Sequence, residues 1–231
     1  MTINHSPRDA KAWCDEGVDL DSLGRFEEAI RCFDKTLELD PHNAAVWSNK
    51  GSSLGNLGHN EDAIHCFDKA LALDPHNAAV WTNKGSSLGN LGRNEDAIHC
   101  DDKALALDPH NVDAWNNKGT SLDNLGRNED AIHCYDKALA LDPHNAAVWA
   151  NKGGSLDNLG RNEDAIHCYD KALALDPHNV NAWFNKALAE DVPSHRLEAV
   201  RSYRQFLALT PARQYAKQIE YAHKRLRELG K

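Results

Sequence analysis

The sequence predicts an all-α solenoid, a stack of helix pairs. Three observations predict it. Trp13, Trp47, Trp81, Trp115, Trp149 and Trp183 recur every 34 residues, and so do Pro41, Pro75, Pro109, Pro143, Pro177 and Pro211. Each interval reads as two helices separated by a glycine, Gly24, Gly58, Gly92, Gly126 or Gly160 in the first five. Self-similarity at one fixed period marks a unit that buries its apolar face only by stacking on its neighbours.

Six repeats follow, at 10–43, 44–77, 78–111, 112–145, 146–179 and 180–213, after a lead-in over 1–9. Numbered 1 to 34 within a repeat, Trp stands at 4, Ala at 20 and Pro at 32 in all six, and Gly at 8 in the first five. Asn43, Asn77, Asn111, Asn145 and Asn179 follow the proline and are placed to cap the first helix with a side-chain oxygen. Its inward face carries Trp at 4, Gly at 8 and Leu at 11 and 14, a helical spacing. Glycine then stops it, because glycine accepts the left-handed C-terminal conformation. Asn60, Asn94, Asn128 and Asn162 are expected to cap the second helix, with acidic residues in its first turn favoured by the dipole. Proline ends it. The sixth repeat is degenerate: Ala187 replaces the glycine, Val192-Pro193 interrupts the turn, and Ser194 is expected to cap the next helix. Residues 214–231 form a last helix with Tyr215, Ile219, Ala222, Leu226 and Leu229 along one stripe. A stack needs its final apolar face covered, so this helix is expected to be a cap. The alternative is a basic amphipathic helix for a membrane or partner.

Composition sets the class. The 231 residues are 41% apolar and 26% charged, with a net charge of −9. That is globular, not disordered. No apolar run reaches membrane length and no charged-then-apolar leader is present, so no membrane partner and a cytoplasmic location are expected. Residues 44–179 carry 11 basic and 20 acidic side chains, and residues 180–231 carry 10 basic and 5 acidic. The acidic bulk argues against nucleic acid as a partner.

Trp at 4, Gly at 8, Ala at 20, Phe or Tyr at 24, Ala at 27 and Pro at 32 of a 34-residue unit resemble the tetratricopeptide repeat. The resemblance covers residues 10–213. It implies a right-handed superhelix of antiparallel helix pairs, with first helices lining a concave groove and second helices forming the convex back. It also implies a protein-binding role. Three departures stand out. Position 7, usually large and apolar in that family, is Lys50, Lys84, Lys118, Lys152 and Lys186. Position 17, often aromatic there, is asparagine in repeats two to five, and the sixth repeat breaks the pattern.

Repeats two to five differ at only eight positions: 1, 2, 3, 5, 9, 12, 16 and 24. Positions 2, 5, 9 and 12 share one helical face, distinct from the Trp-Gly-Leu face. Either that face is tuned to a ligand or its surface has drifted; among positions in the second helix only 24 changes, which favours tuning. Position 6 adds Asn49, Asn83, Asn117, Asn151 and Asn185, and position 13 adds Asn56, Asn90, Asn124 and Asn158. An amide donates and accepts at once, so a row of them can hold an extended backbone. Some members of the resembled family use such a ladder. Asp21, Asp123, Asp157 and Asp191 at position 12 make the face acidic, while positions 2, 5, 6, 9, 12 and 13 of repeats two to five hold no Lys or Arg. The expected ligand is an extended, neutral or basic peptide, held by these asparagines with Asp123, Asp157, Ser48, Thr82 and Asn116.

Other chemistry is weakly supported. Cys32, Cys66, Cys100, Cys134 and Cys168 recur at position 23, too far apart for disulfides, and are expected to be packing residues with reduced thiols. The adjacent histidines point elsewhere, so neither metal nor cofactor is expected. Ser, His and Asp recur in every repeat rather than forming one triad, and no phosphate loop appears, so no enzyme is expected. Three alternatives to a peptide scaffold stay open: a designed or recently amplified array without a ligand, an array that self-associates through its ends, and a His/Cys metal-binding repeat. Finally, Asp101 stands where other repeats have Phe33, Phe67, Tyr135, Tyr169 and Tyr203. A defect paired with Lys84 or Lys118, or filled by water, is expected.

Overall fold

The computed structural model describes residues 9–211 and 214–230. Most of the lead-in and Lys231 therefore lie outside the described residues. Among those residues the regular structure is all helical: thirteen α-helices, one short 3-10 turn and no strand. Two compact units are present, one ending at Asn124 and the other beginning at Leu125.

The first unit holds α1 (Ala10–Ser22), α2 (Phe26–Leu39), α3 (Ala44–Asn56), α4 (Asn60–Leu73), α5 (Ala78–Asn90), α6 (Asn94–Leu107) and α7 (Val112–Asn124). α1 packs on α2, α3 on α4 and α5 on α6, and each second helix also packs on the first helix of the next repeat. The second unit holds α8 (Asn128–Leu141), α9 (Ala146–Asn158), α10 (Asn162–Leu175), α11 (Val180–Ala189), the 3-10 turn Pro193–His195, α12 (Arg196–Leu209) and α13 (Ala216–Leu229). There α9 packs on α10, α11 on α12, and α12 on α13.

The first helices start as their asparagines require. The Asn43, Asn77 and Asn145 side chains accept from the N–H groups of Val46, Val80 and Val148 at 3.2 Å, and Asn111 and Asn179 from those of Ala114 and Ala182 at 2.9 Å. Gly92 closes α5 at φ +73°, where a Cβ would be strained. The second helices start differently from expectation. Asn60, Asn94, Asn128 and Asn162 are already the first helical residues, and the cap positions are held by His59, Arg93, Arg127 and Arg161 without any side-chain cap bond. An arginine has no acceptor to offer. Arg93, Arg127 and Arg161 instead reach Asp96, Asp130 and Asp164 at 2.6 Å, anchoring the first turn from outside. Ser194 likewise does not cap α12: it lies in the 3-10 turn, and His195 precedes the helix without a side-chain cap bond.

Small and large residues interlock in the core. Ala29, Ala63, Ala97, Ala131, Ala165 and Ala199 at position 20 are fully buried. In repeats one, two and five the aromatic at 24 lies against the glycine at 8. A Cβ on Gly51 would sit 2.7 Å from Phe67 Cε1, and one on Gly153 2.7 Å from Tyr169 Cε1. Cysteines 32, 66, 100, 134 and 168 are buried and not in disulfides, and burial pushes Cys66, Cys100 and Cys168 up to about 11.

The lysines at position 7 have a structural use. Lys50, Lys84, Lys118, Lys152 and Lys186 meet Asp34, Asp68, Asp102, Asp136 and Asp170 of the preceding repeat at 2.5–2.6 Å. Each ammonium also lies 5.4–5.7 Å from the ring of its own repeat's tryptophan. That indole N–H donates to the preceding repeat's proline carbonyl at 3.0 Å. The aliphatic stem covers apolar surface while the charge reaches the rim, so a lysine replaces an apolar side chain without burying its ammonium. The aspartates are half exposed, which limits each pair to well under about 1 kcal/mol.

In the second unit the α13 stripe is occupied. Tyr215, Ile219, Ala222, Leu226 and Leu229 pack with Phe184, Tyr203 and Phe206. Arg225 clamps the arrangement with two 2.6 Å bonds to Asp191, which also accepts from the Tyr203 hydroxyl at 3.0 Å.

Asp101 is fully buried and finds no lysine. Neither carboxylate oxygen has a hydrogen-bond partner. The expected salt bridge is absent because Lys84 and Lys118 are directed to Asp68 and Asp102 at the rim, whereas Asp101 turns inward, 2.7 Å from where a Cβ on Gly85 would stand. With no aromatic ring as spacer, α7 lies closer to α5 than α5 does to α3. Two bonds span the narrowed interface: Asn111 Nδ2 donates to Thr82 Oγ1 at 3.0 Å, and Asn124 Nδ2 to Asn94 Oδ1 at 3.3 Å.

Candidate functional site

Helical periodicity puts positions 6, 9 and 13 of a first helix on one side, three or four residues apart. In the first unit two clefts open there. One of about 180 Å3, between α3 and α5, is lined by Ser52, Gly55, Asn56, Asn83, Ser86, Ser87 and Asn90, with Asn60 and Phe67 beneath. The other, about 130 Å3 between α5 and α7, is lined by Ser86, Gly89, Asn90, Asn117, Thr120, Ser121 and Asn124. Ser86 and Asn90 face both, so the clefts adjoin along α5. No charged side chain lines either one.

Five of the asparagines singled out in the sequence thus come together: Asn56, Asn83, Asn90, Asn117 and Asn124. Asn49 is half-buried on α3, and Asn151 and Asn185 are half-buried on α9 and α11, with Asn158 exposed at the end of α9. Asn83 Nδ2 donates to Ser52 Oγ of the preceding repeat at 3.3 Å, which orients its amide along the cleft.

The other candidates stand apart from the clefts. Thr82 is buried, donating to the Ala78 carbonyl at 3.0 Å and accepting from Asn111. Ser48 and Asn116 are half-buried at the same position of α3 and α7, outside both linings. Among the position-12 aspartates, Asp21 accepts from Ser53. Asp191 is held below the usual carboxylate range chiefly by its bonds to Arg225. Asp123 and Asp157 are half-buried, and burial raises the Asp157 carboxyl.

The hydroxyls of Ser52, Ser86 and Thr120, at position 9 of the variable face, also line the clefts, although they are not among the ligand residues expected from the sequence. They lie across the cleft from position 6 of the next repeat. The arrangement offers alternating amides and hydroxyls, donors and acceptors without charge. Among the described residues, no three His, Cys, Asp or Glu side chains converge to hold a metal ion, and no helix is long and apolar enough to cross a membrane.

Comparison with known proteins agrees with this architecture. No curated protein matches the sequence. Among solved structures, the MamA protein is 26% identical with a TM-score of 0.64, over 73% of this chain and 92% of that one. PilF of Pseudomonas aeruginosa is 22% identical with a TM-score of 0.78, over 92% and 96%. A chain of the APC/C hetero-tetramer Cut9–Hcn1 is 22% identical with a TM-score of 0.82, over 98% of this chain and 44% of that one. One tetratricopeptide repeat model matches residues 10–43, 44–77, 112–145 and 146–179, and a second matches 66–99. The chain belongs to the tetratricopeptide repeat family.

Proposed function

We propose that this protein is a non-catalytic scaffold that holds an extended, neutral or basic segment of a partner protein along the amide-lined face of its first helices. Membership of the family supports a role in protein–protein interaction. A structural relative is named for an assembly of two different proteins, Cut9 and Hcn1.

The observation that carries the finer reading is the pair of adjoining clefts. An extended strand advances about 3.3 Å per residue and presents a carbonyl and an N–H at each step. Amides on Asn83, Asn90 and Asn117, and hydroxyls on Ser52, Ser86 and Thr120, meet those groups without selecting side chains. The chain's excess of acid over base adds a long-range preference for a basic segment.

The test is a titration of labelled extended peptides of graded charge against the wild type and an Asn83→Ala/Asn117→Ala double variant. Basic and neutral peptides should bind better than acidic ones, and the double variant should weaken binding at least tenfold with an unchanged melting temperature. Preference for acidic peptides, or unaltered binding by the variant, would remove this reading.

A further inference from the structure

Asp101 is a buried titratable group that peptide binding leaves unused. Five of the six repeats put an aromatic ring at its position. Here a fully buried carboxyl with two unpartnered oxygens sits between α5, α6 and α7 instead. The interface is closed tightly over it. α7 has moved in toward α5, the Asn111–Thr82 and Asn124–Asn94 bonds span the joint, and the cleft above is about 130 Å3 against about 180 Å3 at the preceding joint.

A neutral carboxyl tolerates such a place, whereas an unpaired carboxylate does not. Among the described residues no cation pairs with it directly, and the charge of Lys118 offsets its burial only in part. From α6 itself the facing groups are Asp102, which disfavours a second negative charge, and Cys100, whose thiol is pushed up to about 11 and stays neutral. From α7 the facing group is Lys118, already bound to Asp102 at 2.6 Å. From α5 the residue against it is Gly85, and the neighbouring Lys84 is bound to Asp68 at 2.6 Å.

We propose that Asp101 makes this joint proton-operated: with the carboxyl neutral α7 stays closed on α5, and ionisation loosens the joint and widens the cleft between them. The inference stands whether or not the cleft binds a peptide. Burial, with Asp102 adding to it, pushes the Asp101 carboxyl up to about 8. The folded value is therefore raised above the unfolded one of about 3.9. Closure is fully favoured below about pH 4 and is lost as pH rises through about 8. The other five repeats place a phenylalanine or tyrosine there and no carboxyl, so the response is local to one joint.

The experiment compares wild type with Asp101→Asn, nearly the same shape but unable to ionise, from pH 6 to pH 9. Amide hydrogen exchange of α5 and α7, corrected for intrinsic pH dependence, is read with the melting temperature. The wild type should show protection in α5 and α7 falling at least tenfold across that range, with α2 and α3 unaffected, while Asp101→Asn stays flat. Asp101→Tyr serves as a second non-switching reference should the amide variant fold poorly. Parallel pH profiles for the wild type and either folded variant would overturn the proposal. So would a loss of protection spread evenly over the first unit.

Discussion

Replacing Asp101 with tyrosine restores the residue that repeats four and five carry, and the structure sets the size of the effect. The carboxyl is pushed up to about 8. Holding it in the fold at pH 7 therefore costs about 1.4 kcal/mol for each of roughly three pH units above the unfolded value, or about 4 kcal/mol. Losing a buried aromatic costs a further ~3–5 kcal/mol when nothing relaxes. Here α7 has closed toward α5, so part of that loss is already recovered and must be given back to seat the ring. A net gain of about 2–5 kcal/mol is expected, which for a chain of this size raises the melting temperature by roughly 5–15 °C. Thermal unfolding followed by circular dichroism at pH 7 measures it. The gain should shrink at pH 5, where the carboxyl term falls to about 1.5 kcal/mol. An unchanged or lower melting temperature would show that the joint is adapted to the acid and would refute the description of Asp101 as a packing defect.

Other outcomes follow from the core and the last helix. Gly153→Ala should destabilise the second unit by about 1–3 kcal/mol, since its Cβ would meet the Tyr169 ring at 2.7 Å. The neighbouring Gly154→Ala, whose Cβ would have 4.0 Å of clearance, should stabilise it by up to about 1 kcal/mol through helix propensity. Equal effects of the two in urea unfolding would contradict the coupling of glycine to ring. Arg225→Ala strips two bonds from Asp191, a carboxylate only 8% exposed, and should cost about 3 kcal/mol and speed tryptic cleavage within α13. Asp191 is held below its ordinary value, so its contribution is present above about pH 4 and lost as pH falls through the folded value. The variant should accordingly lose less stability on acidification than the wild type.

Much of the lining of the candidate clefts was legible because the repeat makes position equivalent to place. Once Trp at 4 and Gly at 8 define the inner face of a first helix, periodicity alone puts Asn83, Asn90, Asn117 and Asn124 together on another. What periodicity does not report is which of a helix's other faces meets a neighbour. Thr82 looks like a groove residue on a helical wheel, yet it is buried because the Asn111 cap of the following helix reaches over it. Ser52 and Ser86 belong to the variable face, and they line the clefts because consecutive first helices lie side by side.

The sequence by itself determined the helix pairs, the starts and stops of the first helices and the register of the stack. These depend on residues close in the chain: an asparagine accepting from the N–H three residues on, a glycine turning at positive φ, a proline ending a ladder. The tertiary structure alone decided how charges and volumes are shared between repeats. A lysine in an apolar position is satisfied by an aspartate in the preceding repeat and the tryptophan beside it. The Asp101 carboxyl, flanked by two such lysines, reaches neither, because both are bound at the rim while it points inward. Which partner an ion finds depends on direction and distance across an interface, and no local pattern of residues carries that information.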